Sequence, residues 1–374
     1  MSKKLKSSQA NPEEHSEIKV QLLKKYMEAY VNILSNSPYI DGVILHDLFC
    51  GPGKYPNDKL GSPLIFLNEI IDAHNRDDLQ LKSSTTFECY FNDLDSEKTE
   101  HLKGQVHANS SVDSLPIFIT ISNEDYRNIL PQVIEKYSTL TSKRAFAFID
   151  PYGYKDIRVE DIRSLLESGK SEVLLFLPTQ FMYRFSENGT PVSLSAFIKE
   201  LGIKVSPTET GISFIEKVKE GFRNQLGTNH FVDSFIIQRD KNQFFALFFF
   251  TSHILGYEKM LKAKWSLDEH EGRGWQPKIQ PDLFTEVDEQ PEIRPLEDRL
   301  QEFLAQPRSN GGIYEFTLRA GFLPTHTITA LKQLDSVGKL NIAFKERSRK
   351  RKGAYYINYD NWKKDFDKIH IKLK

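Results

Sequence analysis

The chain has 374 residues, 50 of them Lys or Arg against 51 Asp or Glu, and a formal net charge of -1 at pH 7. An apolar share of 39% and a charged share of 27% suit a folded protein with one large and one smaller domain; they exclude a disordered tail and a uniformly basic nucleic-acid binder. Cys50 and Cys89 cannot make a zinc site by themselves, and their apolar, strand-like surroundings predict buried, reduced thiols.

Residues 1–10 are polar and basic and read as disordered, with no apolar core of signal-peptide length. The longest apolar stretch, Phe244 to Phe250, is the size of a strand, so a cytoplasmic protein is expected. From about Pro12 to Leu34 an amphipathic helix carries Ile18, Leu22, Leu23, Tyr26, Tyr30, Val31 and Ile33 at helical spacing. His15 and Lys19 lie one turn apart on it, and their spacing favours a solvated face over a role at a ligand.

Val43, Ile44 and Leu45 form an apolar run that ends in Asp47, Phe49, Gly51 and Gly53, the pattern of a first parallel strand running into a ligand loop. Glycine lets the backbone turn sharply and approach a ligand closely. Ser62 reads as an N-cap with Pro63 at the first helical position, opening a helix through Ile71. The Asp-x-Phe-x-Gly-x-Gly pattern resembles the cofactor loop of class I S-adenosylmethionine-dependent methyltransferases. Lys54-Tyr55-Pro56 follows Gly53, so the third glycine of a dinucleotide fingerprint is missing.

A second strand over residues 87–93 ends in Asp93, with Asp95 beyond it; both are candidates for a cofactor ribose. A helix over 96–106 and a strand over 116–122 lead to Asn123, Glu124 and Asp125, where Asn123 and Asp125 are candidates near an adenine and Asp125 alternatively a helix N-cap. The fully apolar run Ala145 to Ile149 reads as a strand buried on both faces, and it runs into Asp150-Pro151-Tyr152-Gly153. That motif resembles the Asp-Pro-Pro-Tyr and Asp-Pro-Phe-Gly motifs of methyltransferases acting on amino groups of bases. There an acceptor orients the amine and an aromatic face stacks the base, roles that fall here to Asp150 and Tyr152.

A fifth strand over 172–176 precedes Pro178, Gln180 and Arg184, and helices are expected over 193–201 and 212–226. Segments 235–239 and 244–251 read as a hairpin supplying the sixth and seventh strands, followed by His253, for which a capping or otherwise satisfied role is favoured over a ligand contact. Residues 266–295 read as a polar linker between a methyltransferase-like domain over 11–265 and a winged helix-turn-helix domain over 296–374. In the latter, Leu340 to Phe344 and Ala354 to Tyr359 are expected to form the wing. Its tip would be the basic run with Lys345, Arg347, Arg349, Lys350, Arg351 and Lys352, suited to phosphates. Base reading is expected from Thr325, His326, Thr327 and Lys332 on the second helix of the motif.

Together the helix from Lys19 to Tyr30, the motifs at 47–53, 61–64 and 148–153, and the segment from His253 to Trp265 resemble the three-Cys-motif partner (TcmP) family of bacterial proteins. The resemblance spans about residues 15–265, with Cys50 where the family commonly has Ala and Tyr152 where it has Phe. It implies a seven-stranded, Rossmann-like α/β sheet, S-adenosyl-L-methionine as cofactor and a partner protein bearing a three-cysteine motif. Two functions are compatible with these residues: methyl transfer to an amine of a DNA or RNA base, or a non-catalytic adaptor joining nucleic acid to the partner.

Overall fold

The computed structural model describes residues 14–55, 57–76, 85–151, 157–184, 192–204, 210–240, 243–276, 291–345 and 353–374. Residues 1–10, Tyr152, Gly153 and the wing-tip residues Arg347, Arg349, Lys350, Arg351 and Lys352 lie outside this set. The described residues divide into two compact units, one within 1–253 and 274–279, the other within 254–273 and 280–374.

The first unit alternates strands and helices: α1 (Glu14–Ser35), β1 (Gly42–Asp47), α2 (Ser62–Asn75), β2 (Thr86–Asn92), α3 (Ser96–His107), β3 (Ile117–Ser122), α4 (Tyr126–Ser138), β4 (Lys143–Ile149), α5 (Val159–Leu166) and β5 (Ser171–Leu177). It continues through α6 (Thr179–Arg184), α7 (Val192–Glu200), α8 (Gly211–Leu226), β6 (Phe231–Asp240) and β7 (Gln243–Thr251). The strands form one sheet in the order β3-β2-β1-β4-β5-β7-β6-β8, where β8 is the two-residue strand Gly274–Trp275. Strands β3, β2, β1, β4 and β5 pair in parallel; β7 enters antiparallel between β5 and β6, as the expected hairpin requires. The seven expected strands are joined by β8, a short edge addition parallel to β6.

β1 and β5 are buried at every position, as the apolar content of strands covered on both faces dictates. The strand order reverses between β1 and β4, and α/β sheets open a crevice at the carboxyl ends of the strands at such a point. Asp47 ends β1, while Asp93 and Asp150 immediately follow β2 and β4, so all three acids stand at one edge of the sheet.

Helix α1 is integral to this unit. Ile18, Leu22, Leu23, Tyr26, Met27, Tyr30 and Val31 are buried, and the Tyr26 hydroxyl donates to Glu172 of β5. Thr251 of β7 donates to the other Glu172 oxygen at 2.9 Å. Burial pushes the Glu172 carboxyl up to about 7 against the pull of these two donors. One expectation is corrected on α2: Ser62 is already helical and Gly61 is the N-cap residue, without a side-chain cap bond. Pro63 lies in the first turn, where its missing N–H costs no intrahelical bond.

The second unit contains α9 (Ile254–Trp265), α10 (Arg294–Phe303), β9 (Arg308–Ser309), α11 (Asn310–Arg319), α12 (Pro324–Ser336), β10 (Leu340–Phe344), α13 (Tyr359–Lys364) and β11 (Ile369–Leu373). α9 groups here, not with the sheet that a boundary after residue 265 would give it, because its side chains bond into this unit. Tyr314 donates to Glu258, and the Trp265 indole donates to the Gly321 carbonyl at 2.9 Å. The wing differs from expectation: β10 pairs antiparallel with β11, and β11 with β9, whereas 354–357 form no strand. Tyr356 adopts φ 56°, which an extended ladder cannot accommodate, while buried Ile369 and Ile371 alternate with exposed or half-buried residues along β11, the central strand of the three. Among the described residues no helix is long and apolar enough to cross a membrane.

Tyr26→Phe should leave Glu172 buried with Thr251 as its remaining hydroxyl donor and cost about 1–3 kcal/mol. Urea unfolding measures this; an unchanged midpoint would show that the α1 anchor contributes nothing to the fold.

Candidate functional site

Beyond β1 the backbone turns through Gly51 at φ 65° and Gly53 at φ 80°, the left-handed region where a side chain is strained. A Cβ on Gly53 would come within 2.6 Å of Leu102 and 2.7 Å of Gln105, whereas one on Gly51 would meet only the Tyr55 hydroxyl, at 3.9 Å. The loop therefore packs tightly on α3 at one glycine and is open at the other.

Asp93 holds this loop. Its Oδ2 accepts the Gly51 N–H at 3.0 Å and its Oδ1 the Asp95 N–H at 2.9 Å, with the Lys98 ammonium 3.9 Å away. It is 1% exposed, so its carboxylate is turned to its own backbone. Asp95, the other ribose candidate, caps α3 through the Glu97 N–H and keeps its side chain 43% exposed.

Asp47 is fully buried: Oδ1 accepts the Phe49 N–H at 3.4 Å, and Oδ2 has no hydrogen-bond partner among the described residues. Burial pushes its carboxyl up to about 7; the Ser62 hydroxyl and Phe49 amide temper the rise, and the charges of Asp150 and Asp93 add to it. An orphaned carboxylate oxygen behind an open glycine loop is a receptor for a cationic or hydrogen-donating group.

Asp150 is held from α1. The Lys19 ammonium lies 2.7 Å from its Oδ2 and 4.0 Å from the centre of the Phe176 ring, and is 12% exposed. The expectation that Lys19 belongs to a solvated face is thereby corrected. The signal was present: Leu22, Leu23 and Tyr26 follow it at three, four and seven residues, on the buried stripe. His15 is helical, and its side chain lies outside the described set.

A cavity of about 390 Å³ opens beside Asp150, lined among others by Lys19, Phe49, Tyr55, Ser62, Phe148 and Asp150. Glu17 of α1 pairs with Lys59 of the loop at its rim. Pro151 is buried beside Asp150.

The candidates beyond β3 serve the fold. Asn123 donates to the Asp93 carbonyl at 2.8 Å. Asp125 is the N-cap of α4, accepting the Arg127 N–H at 2.9 Å, and the Arg127 guanidinium at 2.6 Å draws its carboxyl down to about 2. Its helix-capping alternative is the one realised. Gln180 is buried, and His253 donates its N–H to Thr251 at 3.0 Å.

In the second unit α12 presents Thr325, Thr329, Lys332 and Gln333 as exposed residues. Thr327, expected to read bases, is fully buried and bonds Thr317 of α11 at 2.7 Å; the helical period turns it inward. His326 packs against Trp265 with ring centres 4.3 Å apart, and burial pulls it down to about 4. Thr329 is exposed one turn beyond Thr325. Lys345 is exposed at the start of the wing.

A family model described as a GMT-like wHTH domain matches residues 274–346. No curated protein sequence matches the chain. Solved structures similar to it include a putative rRNA methylase from Clostridium thermocellum, 11% identical over 60% of this chain and 94% of that one, with a TM-score of 0.29. The methyltransferase domain of bacterial CtHen1-C is 14% identical over 62% and 98% of the two chains, TM-score 0.28. A loganic acid methyltransferase with SAH is 12% identical over 60% and 77%, TM-score 0.27. At such scores the architecture rests on strand order and register: a mostly parallel methyltransferase-type sheet, followed in the chain by a winged helix-turn-helix domain.

Since the Asp47 carboxyl sits at about 7 in the folded chain against an ordinary 3.8, the folded state keeps a proton there that the unfolded chain has released. Stability should therefore fall as pH rises from about 4 to about 7, and Asp47→Asn should remove that share, on the order of 4 kcal/mol. Urea midpoints of both proteins across this range measure it; identical slopes would contradict a buried Asp47 that holds its proton.

Proposed function

We propose that this protein is an S-adenosylmethionine-dependent methyltransferase of the three-Cys-motif partner family, acting on an amine of a nucleic-acid base. The observation that carries the reading is that buried Asp47, with one unpartnered oxygen, the glycine turn after it and Asp150 stand at one edge of the sheet, where Asp150, Phe49 and Ser62 line a cavity. The donor set fits the cofactor: a buried anion suits its amino group, and a glycine without a Cβ leaves room for its methionine portion. When bound, the cofactor supplies a methyl group on a positively charged sulfur.

The chain's own residues would do the rest. Asp47 takes the amino group, Gly51 and Gly53 line the methionine, and Phe49 borders the cavity. Asp93 holds the loop in shape, and Asp95, 43% exposed, offers the acid for the ribose. Asp150 accepts a hydrogen from the attacking amine so that its lone pair faces the methyl, and the motif resemblance gives Tyr152, outside the described residues, the role of stacking the base. The winged helix supports a nucleic-acid substrate, with Thr325, Thr329 and Lys332 facing bases and the run from Lys345 to Lys352 on phosphates. A partner bearing three cysteines follows from the family resemblance.

Tritiated cofactor incubated with total RNA or genomic DNA from cells lacking the protein should label one of the two pools. Asp150→Asn should lower the rate by about 100-fold or more. Label in neither pool, with the partner present, would favour the adaptor. Replacing Arg349, Lys350 and Arg351 by Ala should weaken binding to all duplex sequences alike and flatten the slope of log affinity against log salt by at most about 3. An unchanged slope would remove the wing tip from the nucleic-acid surface.

A further inference from the structure

The strongest unassigned arrangement is the contact between Lys19 and Asp150. Two groups hold the Lys19 ammonium, the Asp150 carboxylate at 2.7 Å and the face of Phe176 at 4.0 Å, and it is 12% exposed. Exposed lysines are seldom fixed in this way, since ordering four rotatable bonds costs entropy that one surface pair scarcely recovers. Asp150 is 25% exposed and lines the cavity, so the carboxylate still faces the space where an amine would enter.

A removable plug and a fixed part of the site make opposite demands on α1. A plug must withdraw, yet α1 is buried along seven apolar side chains and tied to Glu172 through Tyr26. The helix cannot carry Lys19 away without exposing that surface. The other charged groups around the pair are Glu17 and Lys24 on α1, Asp58 and Lys59 in the loop after β1, and Asp47 at the end of β1.

We infer that Lys19 is a positioning residue of the active site: it grips Oδ2 of Asp150, fixes the carboxylate plane and leaves the other oxygen to orient the amine that receives the methyl group. This rests on the methyltransferase reading above. Its chemical consequence is specific. With one oxygen held by the ammonium, Asp150 orients the amine, and the methylated amine loses its proton to water after the nitrogen–carbon bond forms and the sulfur–carbon bond breaks.

The test compares wild type, Lys19→Met and Lys19→Arg in methyl transfer to pooled total RNA and genomic DNA. Lys19→Met should lower kcat about 10- to 100-fold with KM for the cofactor within about twofold. Lys19→Arg should restore most of the rate. In protein carrying 13C-labelled aspartate, the Asp150 carboxyl resonance should move in Lys19→Met and return towards its wild-type position in Lys19→Arg. An active wild type with a Lys19→Met variant of equal kcat, or with an unmoved Asp150 resonance, overturns the inference alone. A wild type that labels neither pool overturns it together with the reading it rests on.

Discussion

Three carboxylates converge at the carboxyl edge of the parallel strands, and the architecture of the first unit depends on how each is kept from repelling the others. Asp47 and Asp93 are almost wholly buried, where like charges are screened least, and both Asp93 and Asp150 act on Asp47. The chain finds a different answer for each acid. Asp93 is wrapped by the backbone amides of Gly51 and Asp95, Asp150 takes an ammonium from α1, and Asp47 retains its proton into the neutral range. A ligand that brings positive charge to Asp47 would complete the set by replacing that proton.

This explains why so much structure outside the sheet is tied to the sheet's edge. Helix α1 precedes the first strand, yet through Lys19 and Tyr26 it touches the acid after β4 and the acid in β5. The loop after β1 is fastened to α3 by the fit of Gly53 against Leu102 and to β2 by Asp93, so its open glycine is held in place before any ligand arrives. Pre-formed geometry of this kind spares a ligand the entropy of ordering its own site.

The parallel core was legible in the sequence because strands buried on both faces are written as unbroken apolar runs, as in Ala145 to Ile149, and because glycines and acids mark their carboxyl ends. The partners of the acids were not legible. Nothing local distinguishes Asp93, which serves its own backbone, from an acid waiting for a ribose; the difference lies in a loop 42 residues away. Asp125 was decided by a neighbour, Arg127, two positions on. In the winged helix, period alone would have separated buried Thr327 from exposed Thr325 and Thr329, and the true partner of β10 lay beyond α13, where alternation in a five-residue segment competed with the more aromatic stretch around Tyr355.

The central claim is that the loop after β1 is a cofactor site, and calorimetric titration of the full chain with S-adenosylmethionine tests it most directly. A saturable binding isotherm tighter than millimolar, or about -4 kcal/mol, that is lost in Asp47→Ala is the expected result. No heat of binding at millimolar cofactor in a folded wild-type protein would contradict the account and leave the sheet as a methyltransferase fold without its cofactor.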